Sequence, residues 1–238
     1  KANAIDRVMW HEIRAAMRWL DETPAARVGI IRGAGKQFTA GIDLALLGAI
    51  RAQIADACDG RAREKLRRLI LDLQDTLTSI ERCRKPVIAA IHGACIGGGV
   101  DLATACDIRL CSADAVFSVR EIDVGMTADL GTLQRLPRLI GEGMARELVY
   151  TGRDVDGREA REIRLVNRCY DSHEALMTGA RELAATIAAG WKADPQLVIV
   201  HGGGDEVTAL QRDLGREPSF LNGRRVTTPC QCSGMVAW

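Results

Sequence analysis

Aromatic residues make up only 4% of this chain, although 47% of it is hydrophobic. The core that 238 residues can bury must therefore be built from closely packed Ala, Val, Ile and Leu. An excess of one charge is also lacking. A formal net charge of +1, with 26% charged residues, gives no global argument for a nucleic-acid or anionic membrane partner. No apolar run approaches the ~20 residues of a spanning helix, and no secretory signal pattern is visible. The chain opens at KANAID, already the entry to a helix, so the true start and any N-terminal address are expected before Lys1. Cysteine pairs with metal-ligand spacing are missing as well. The eight cysteines are scattered. Cys83, Cys95, Cys106 and Cys111 lie in or beside apolar runs, which predicts buried free thiols in a reducing compartment. Cys230 and Cys232 have no matching second pair, so no zinc site is expected.

What is present is concentrated between Cys95 and Gly131. An apolar strand-like run, PVIAAIHG, leads into Gly97, Gly98 and Gly99, and a helix-like pattern, VDLATACD, follows. Glycines at such a junction let backbone N–H groups approach a ligand, and the helix N-terminus adds a positive dipole end. Asp101 follows the glycines, Glu121 follows a second strand-like run, and Asp129 precedes Gly131. Carboxylates beside backbone donors point to proton transfer next to a stabilised anion.

Along the chain, Asp6 reads as the N-cap of a helix over 7–21. His11 and Glu12 do not open a zinc-protease motif, because position 15 is Ala. Val28 to Gly33 reads as a buried strand. Gly35-Lys36 fails as a phosphate loop: the first glycine is missing and Gln37 replaces Ser or Thr. Ala40, Gly41 and Ile42 form a small-residue turn with a helix expected from about Asp43. Residues 51–64 read as a mobile loop or a solvated helix, and 66–80 as an amphipathic helix. Val87 to Ile91 reads as a strand. Helices are expected over 133–140 and 144–150, broken by Gly141, and from Val155 to Glu162. A strand over 165–170 and a helix over 174–189 follow. Beyond Trp191 only a short helix around 207–214 is legible. Strands alternating with helices make the class α/β.

The matching pieces, in order, are KANAID, VGIIRGAGKQFTAGIDL, KPVIAAIHGACIGGGVDLATACDIRLCS, AVFSVREIDVGMTADLGTLQRLPRLIG and ARELVYTGRDVDGREAREIRLVNRCY. With them the chain resembles the crotonase (enoyl-CoA hydratase/isomerase) superfamily over most of residues 1–190. Within it, IGGGVD, REIDVG and TADLGTLQRLP are similar to the dienoyl-CoA isomerases, which carry acids at all three positions. A typical hydratase has an uncharged, glycine-rich segment where this chain places Asp129. The resemblance implies a ββα spiral with C-terminal helices over 1–190, its first strands lying before KANAID. Residues 191–238 form an atypical C-terminal segment. It also implies a homotrimer or dimer of trimers, an acyl-CoA thioester substrate with no separate cofactor and no nucleic-acid or membrane partner, and a role in fatty-acid β-oxidation. The compartment implied is mitochondrial or peroxisomal, although the terminal VAW is not a peroxisomal tripeptide.

The implied reaction moves the double bonds of a 3,5-dienoyl-CoA to the 2,4 positions. By resemblance, the N–H groups of Ile42 and Gly98 form an oxyanion hole, and Ala40, Gly41, Ile42, Asp43, Leu44 and Gly98 contact substrate. Glu121 shuttles the proton at C2 and Asp129 the one at C6. Asp101 orients them or holds a water, and its place in the first helical turn also suits the dipole. Taken alone, Asp129 reads as a loop acid or the N-cap of a helix at Thr132. Asp107 is expected to pair with a base or cap a turn, Arg135 to make an ion pair, and His92 to be a satisfied core or turn histidine. The alternatives are a 2-enoyl-CoA hydratase, with Asp101 and Glu121 sharing a water, and a non-catalytic acyl-CoA- or RNA-binding relative.

Overall fold

The computed structural model describes residues 2–193, 219–221 and 224–226. It divides into two compact units, Lys1–Ala185 and Thr186–Trp238. The first unit is a spiral whose successive turns build two sheets. The first sheet takes β1 (Gly29–Arg32), β2 (Val87–Ile91), β4 (Ile108–Ser112) and β7 (Arg168–Tyr170), in that order and all parallel. The second takes β3 (Ala94–Ile96), β5 (Val116–Ser118) and β6 (Val155–Asp156). Thr39 bridges to Cys95, so Thr39, Cys95, Phe117 and Val155 form one row across it. Every residue of β2 is buried, which is why VIAAI shows no polar alternation.

Helices follow the second strand of each turn. After Thr39 come α2 (Leu44–Ile54) and α3 (Asp59–Glu81). After β3 comes α4 (Gly98–Ala105), and after β5 a 3₁₀ turn (Glu121–Val124), α5 (Thr132–Ile140) and α6 (Glu142–Thr151). The chain opens with α1 (Arg7–Glu22), capped by Asp6, whose carboxylate accepts from Met9 N at 2.8 Å. Arg14 ties α1 to α3 through Asp72 (2.9 Å) and the Thr76 hydroxyl (2.8 Å). Helix α7 (Gly157–Glu162) precedes β7, and α8 (His173–Ala193) closes the described spiral.

Several expectations change here. Residues 51–64 are the end of α2, a short connection and the start of α3, so the helix expected from Leu66 begins at Asp59. Val155 and Asp156 are not helical. They pair antiparallel with β5, and the Asp156 carboxylate then caps α7 through the N–H groups of Arg158 and Glu159. The strand expected from Leu165 is confined to Arg168–Tyr170. Cys95, Cys106 and Cys111 are buried free thiols and Cys83 is half-buried. The helix expected over 207–214, Cys230 and Cys232 lie outside the described residues. In the second unit, β8 (Ser219–Leu221) and β9 (Arg224–Val226) form an antiparallel hairpin. Among the described residues no helix is long and apolar enough to cross a membrane.

Candidate active site

Two backbone turns meet at the ends of adjacent second-sheet strands. Beyond Thr39, Gly41 O accepts from Ile5 N (2.8 Å) and Asp43 N donates to Ile5 O (3.1 Å). These parallel-bridge bonds turn the N–H of Ile42, between them, to the opposite side. Gly41 has φ +89°, and a Cβ there would lie 2.7 Å from Ile96 O, so only glycine lets the two turns close together. Asp43 then caps α2 by accepting from Ala45 N at 2.7 Å. Ala40 donates its N–H to Ala2 O, while the Leu44 side chain is exposed.

Beyond β3, Gly97 has φ +52° and ψ −117°, a conformation for glycine alone, and its N–H donates to Ser118 O at 2.8 Å. Gly98 begins α4, where N–H groups have no intrahelical acceptor. A Cβ at Gly98 would stand 3.6 Å from Ile42 N and 3.2 Å from Ile42 Cγ1. The N–H groups of Ile42 and Gly98 are thus neighbours, and neither makes a hydrogen bond among the described residues. Such a pair can donate jointly to one oxygen.

The three acids come from two turns of the spiral: Asp101 lies in α4, and Glu121 and Asp129 both follow β5. Glu121, heading the 3₁₀ turn, lies over Gly97: a Cβ there would meet its Oε1 at 3.2 Å. Its Oε2 is buried without a partner. Burial is the main cause that pushes its pKa up to about 7, with the charges of Asp101 and Asp129 adding to it. Asp101 is 1% exposed. Its Oδ1 accepts from the Thr132 N–H (2.6 Å) and hydroxyl (2.8 Å), and its Oδ2 has no partner. Burial lifts its pKa to about 6 against the pull of those bonds. Asp129 is half-buried and also raised by burial, and Gln74 of α3 donates to its carbonyl at 2.5 Å. Asp129 does not cap α5. Asp101 does so from across the spiral.

Beside Glu121 a cavity of about 450 Å³ opens between the 3₁₀ turn, α5 and α6, walled by Met126, Leu133, Leu136, Pro137 and Val149. Asp129 is not on its wall, although Ala128 is. Arg135 grips Glu81 with two bonds (2.9 and 2.8 Å) and donates to Leu130 O, which fixes the segment carrying Asp129. Asp107 accepts from Val87 N at the head of β2. His92 is buried and its Nε2 meets Gly35 O at 2.9 Å, but Nδ1 has no partner, so it is only half satisfied. Thr132 and Gln74 carry no local sequence signal for these roles. Their partners are 31 and 55 residues away. No group of His, Cys, Asp and Glu among the described residues is arranged to hold a metal ion.

The family model for enoyl-CoA hydratase/isomerase matches residues 1–199. The chain is 50% identical over 186 residues to a peroxisomal Δ(3,5)-Δ(2,4)-dienoyl-CoA isomerase of Arabidopsis thaliana, covering 78% of this chain and 67% of that one. It is 46% identical over 189 residues to the mitochondrial Δ(3,5)-Δ(2,4)-dienoyl-CoA isomerase of Homo sapiens, covering 79% and 58%. The match therefore spans less than two thirds of the length of the human relative. Among solved structures, an enoyl-CoA hydratase from Bacillus anthracis superposes with a TM-score of 0.69 at 28% identity, over 94% of this chain and 92% of that one.

Proposed function

The chain belongs to the enoyl-CoA hydratase/isomerase family, and from that premise we propose that it converts 3,5-dienoyl-CoA thioesters to 2,4-dienoyl-CoA. The reaction removes a proton from C2 and delivers one to C6. The electron pair released at C2 is held meanwhile on the thioester oxygen as a trienolate. The N–H groups of Ile42 and Gly98 receive that oxygen, with Ala40, Gly41, Asp43 and Leu44 lining the approach. Glu121 takes the C2 proton, Asp129 delivers one at C6, and the pair is reset by proton exchange. Asp101 shapes the charge that Glu121 feels. The carrying observation is the Glu121 carboxyl lying over Gly97, next to the Ile42 and Gly98 donors, and sensing the charge of Asp129. Acids that repel one another are not all ionised together, so a base and an acid can coexist near neutral pH. The apolar cavity beside Glu121 suits the acyl chain.

Coenzyme A arrives as part of the substrate, and the reading needs no separate cofactor. It places the chemistry in residues 1–190, apart from the segment 191–238. It includes assembly as a trimer or dimer of trimers, which the mass of the native protein in solution tests. It also includes a mitochondrial or peroxisomal compartment, as in the names of the relatives.

The test measures diene isomerisation beside deuterium exchange at C2. Glu121→Gln is expected to suppress both, and Asp129→Asn to lower isomerisation by about 10²–10⁴-fold while C2 exchange survives better. An Asp129→Asn enzyme that isomerises at the parent rate returns Asp129 to the role of a loop acid. The two partnerless oxygens, Asp101 Oδ2 and Glu121 Oε2, favour one second reading, hydration of a 2-enoyl-CoA by a water held between them. Hydration without diene isomerisation, indifferent to Asp129→Asn, selects it.

A further inference from the structure

Thr132 is fully buried and opens α5. Its N–H and its hydroxyl both donate to the same oxygen of Asp101, at 2.6 and 2.8 Å. A threonine hydroxyl is not needed to start a helix. The neighbouring Gly131 is the N-cap and provides no side-chain acceptor, so the carboxylate of α4 serves as the cap of α5. The arrangement saturates Asp101 Oδ1 and leaves Oδ2 with no protein partner. Thr132 also lines the cavity beside Glu121. It therefore stands between the pocket wall and a buried carboxylate whose charge Glu121 senses.

We propose that Thr132 is a positioning residue for the isomerisation: by fixing Asp101 with two hydrogen bonds it sets the charge that Glu121 feels. The inference rests on the functional reading above for its link to turnover, but not for its link to Asp101. The other ionisable groups whose charge acts on Asp101 are Arg135 from α5, which favours its charged form, and Asp129, which opposes it. Glu121 and Cys95 of β3 feel the charge of Asp101 in turn. A donor to the charged form of a carboxylate lowers its pKa, and loss of one donor raises it. Removing the hydroxyl therefore makes Asp101 neutral over more of the pH range. Glu121 then loses a repelling neighbour and becomes a weaker base.

The test compares Thr132→Val, which keeps shape and N–H but loses the hydroxyl, with Thr132→Ser, which keeps the hydroxyl. The first readout is the infrared band of protonated carboxyl, assigned to Asp101 by its loss in Asp101→Asn. Its titration midpoint is expected to rise by about one pH unit in Thr132→Val and to return in Thr132→Ser. The second is the pH profile of kcat/KM for a 3,5-dienoyl-CoA. Its acid limb is expected to move to lower pH with a several-fold lower plateau in Thr132→Val, and serine is expected to restore it. A folded Thr132→Val with an unmoved infrared midpoint overturns the proposal. So does a moved midpoint with an unmoved acid limb, since Thr132 then holds Asp101 without tuning Glu121. A parent protein that does not turn over the diene sinks the functional reading instead. The infrared titration then still decides whether Thr132 governs Asp101.

Discussion

At the scale of single residues, Gly98 and Glu121 carry the sharpest expectations. A side chain at Gly98 begins 3.2 Å from Ile42 Cγ1 and 3.6 Å from Ile42 N, so a branched one crowds the neighbouring donor. Gly98→Val is therefore expected to lower kcat/KM by about 10²–10³-fold, the range for loss of an oxyanion donor. Its cooperative melt should persist, and near-parent turnover would remove these donors from the site. Glu121 is held near pH 7, so kcat/KM should rise with pH through about 7 as the base ionises. A rate profile flat from pH 6 to 8 would assign the base elsewhere. Asp101 and Glu121 stood out as acids near a glycine-rich turn, whereas Asp129 read alone was a loop acid or a cap and gained a role only through the family resemblance. The partner of Asp101 was not legible. Nothing near Thr132 in the sequence announces a bond to a carboxylate 31 positions earlier, and that bond exists only because the spiral returns α5 to the start of α4.

Among the elements, α2 is tied to the site through one cap. Asp43 accepts from Ala45 N, and the preceding residue is Ile42. Asp43→Ala should cost about 1 kcal/mol in chemical denaturation. If the cap also orients the Ile42 N–H, kcat/KM falls while the pH profile keeps its shape; unchanged kinetics would confine Asp43 to stability. Elements with strong local signals were read well. Asp6 caps α1 as expected, and Val87–Ile91 is a strand with the bounds that its apolar run gave. Gly141, with φ +82°, separates α5 from α6. Val155 was misread because Val155-Asp156 owes its extended shape to β5, a long-range pairing that overrides local pattern. The hairpin of β8 and β9 did have a signal, the Asn222-Gly223 dipeptide between its strands. Reading that stretch for helical periodicity passed over it.

For the whole molecule, the acids of the site oppose the acids of the surface in their effect on stability. Asp101 and Glu121 have folded pKa values of about 6 and about 7, above their ordinary values of 3.8 and 4.5. The folded state therefore binds more protons than the unfolded one between about pH 4 and 7, and stability falls as pH rises through that window. Arginine partners hold Glu64 down to about 2 and hold Asp21 below its ordinary value. Those contributions are present above the unfolded pKa and lost as pH falls through the folded one. Urea denaturation should accordingly show lower stability at pH 8 than at pH 5, and Asp101→Asn should reduce that difference. An equal difference in the variant would mean that Asp101 does not carry it. The spiral also has a consequence for how the site can change. Its donors and its base lie just beyond Thr39, Cys95 and Phe117, which form one row across consecutive rungs. The rungs work as a ruler, with chemistry three residues past the marks at Thr39 and Cys95 and four past the one at Phe117. Lengthening the connection between α2 and α3 moves no mark, whereas one residue inserted between Ser118 and Glu121 shifts a single reading by a full division. Substrate range can therefore drift through the helices, while catalysis stays locked to the pitch of the strands.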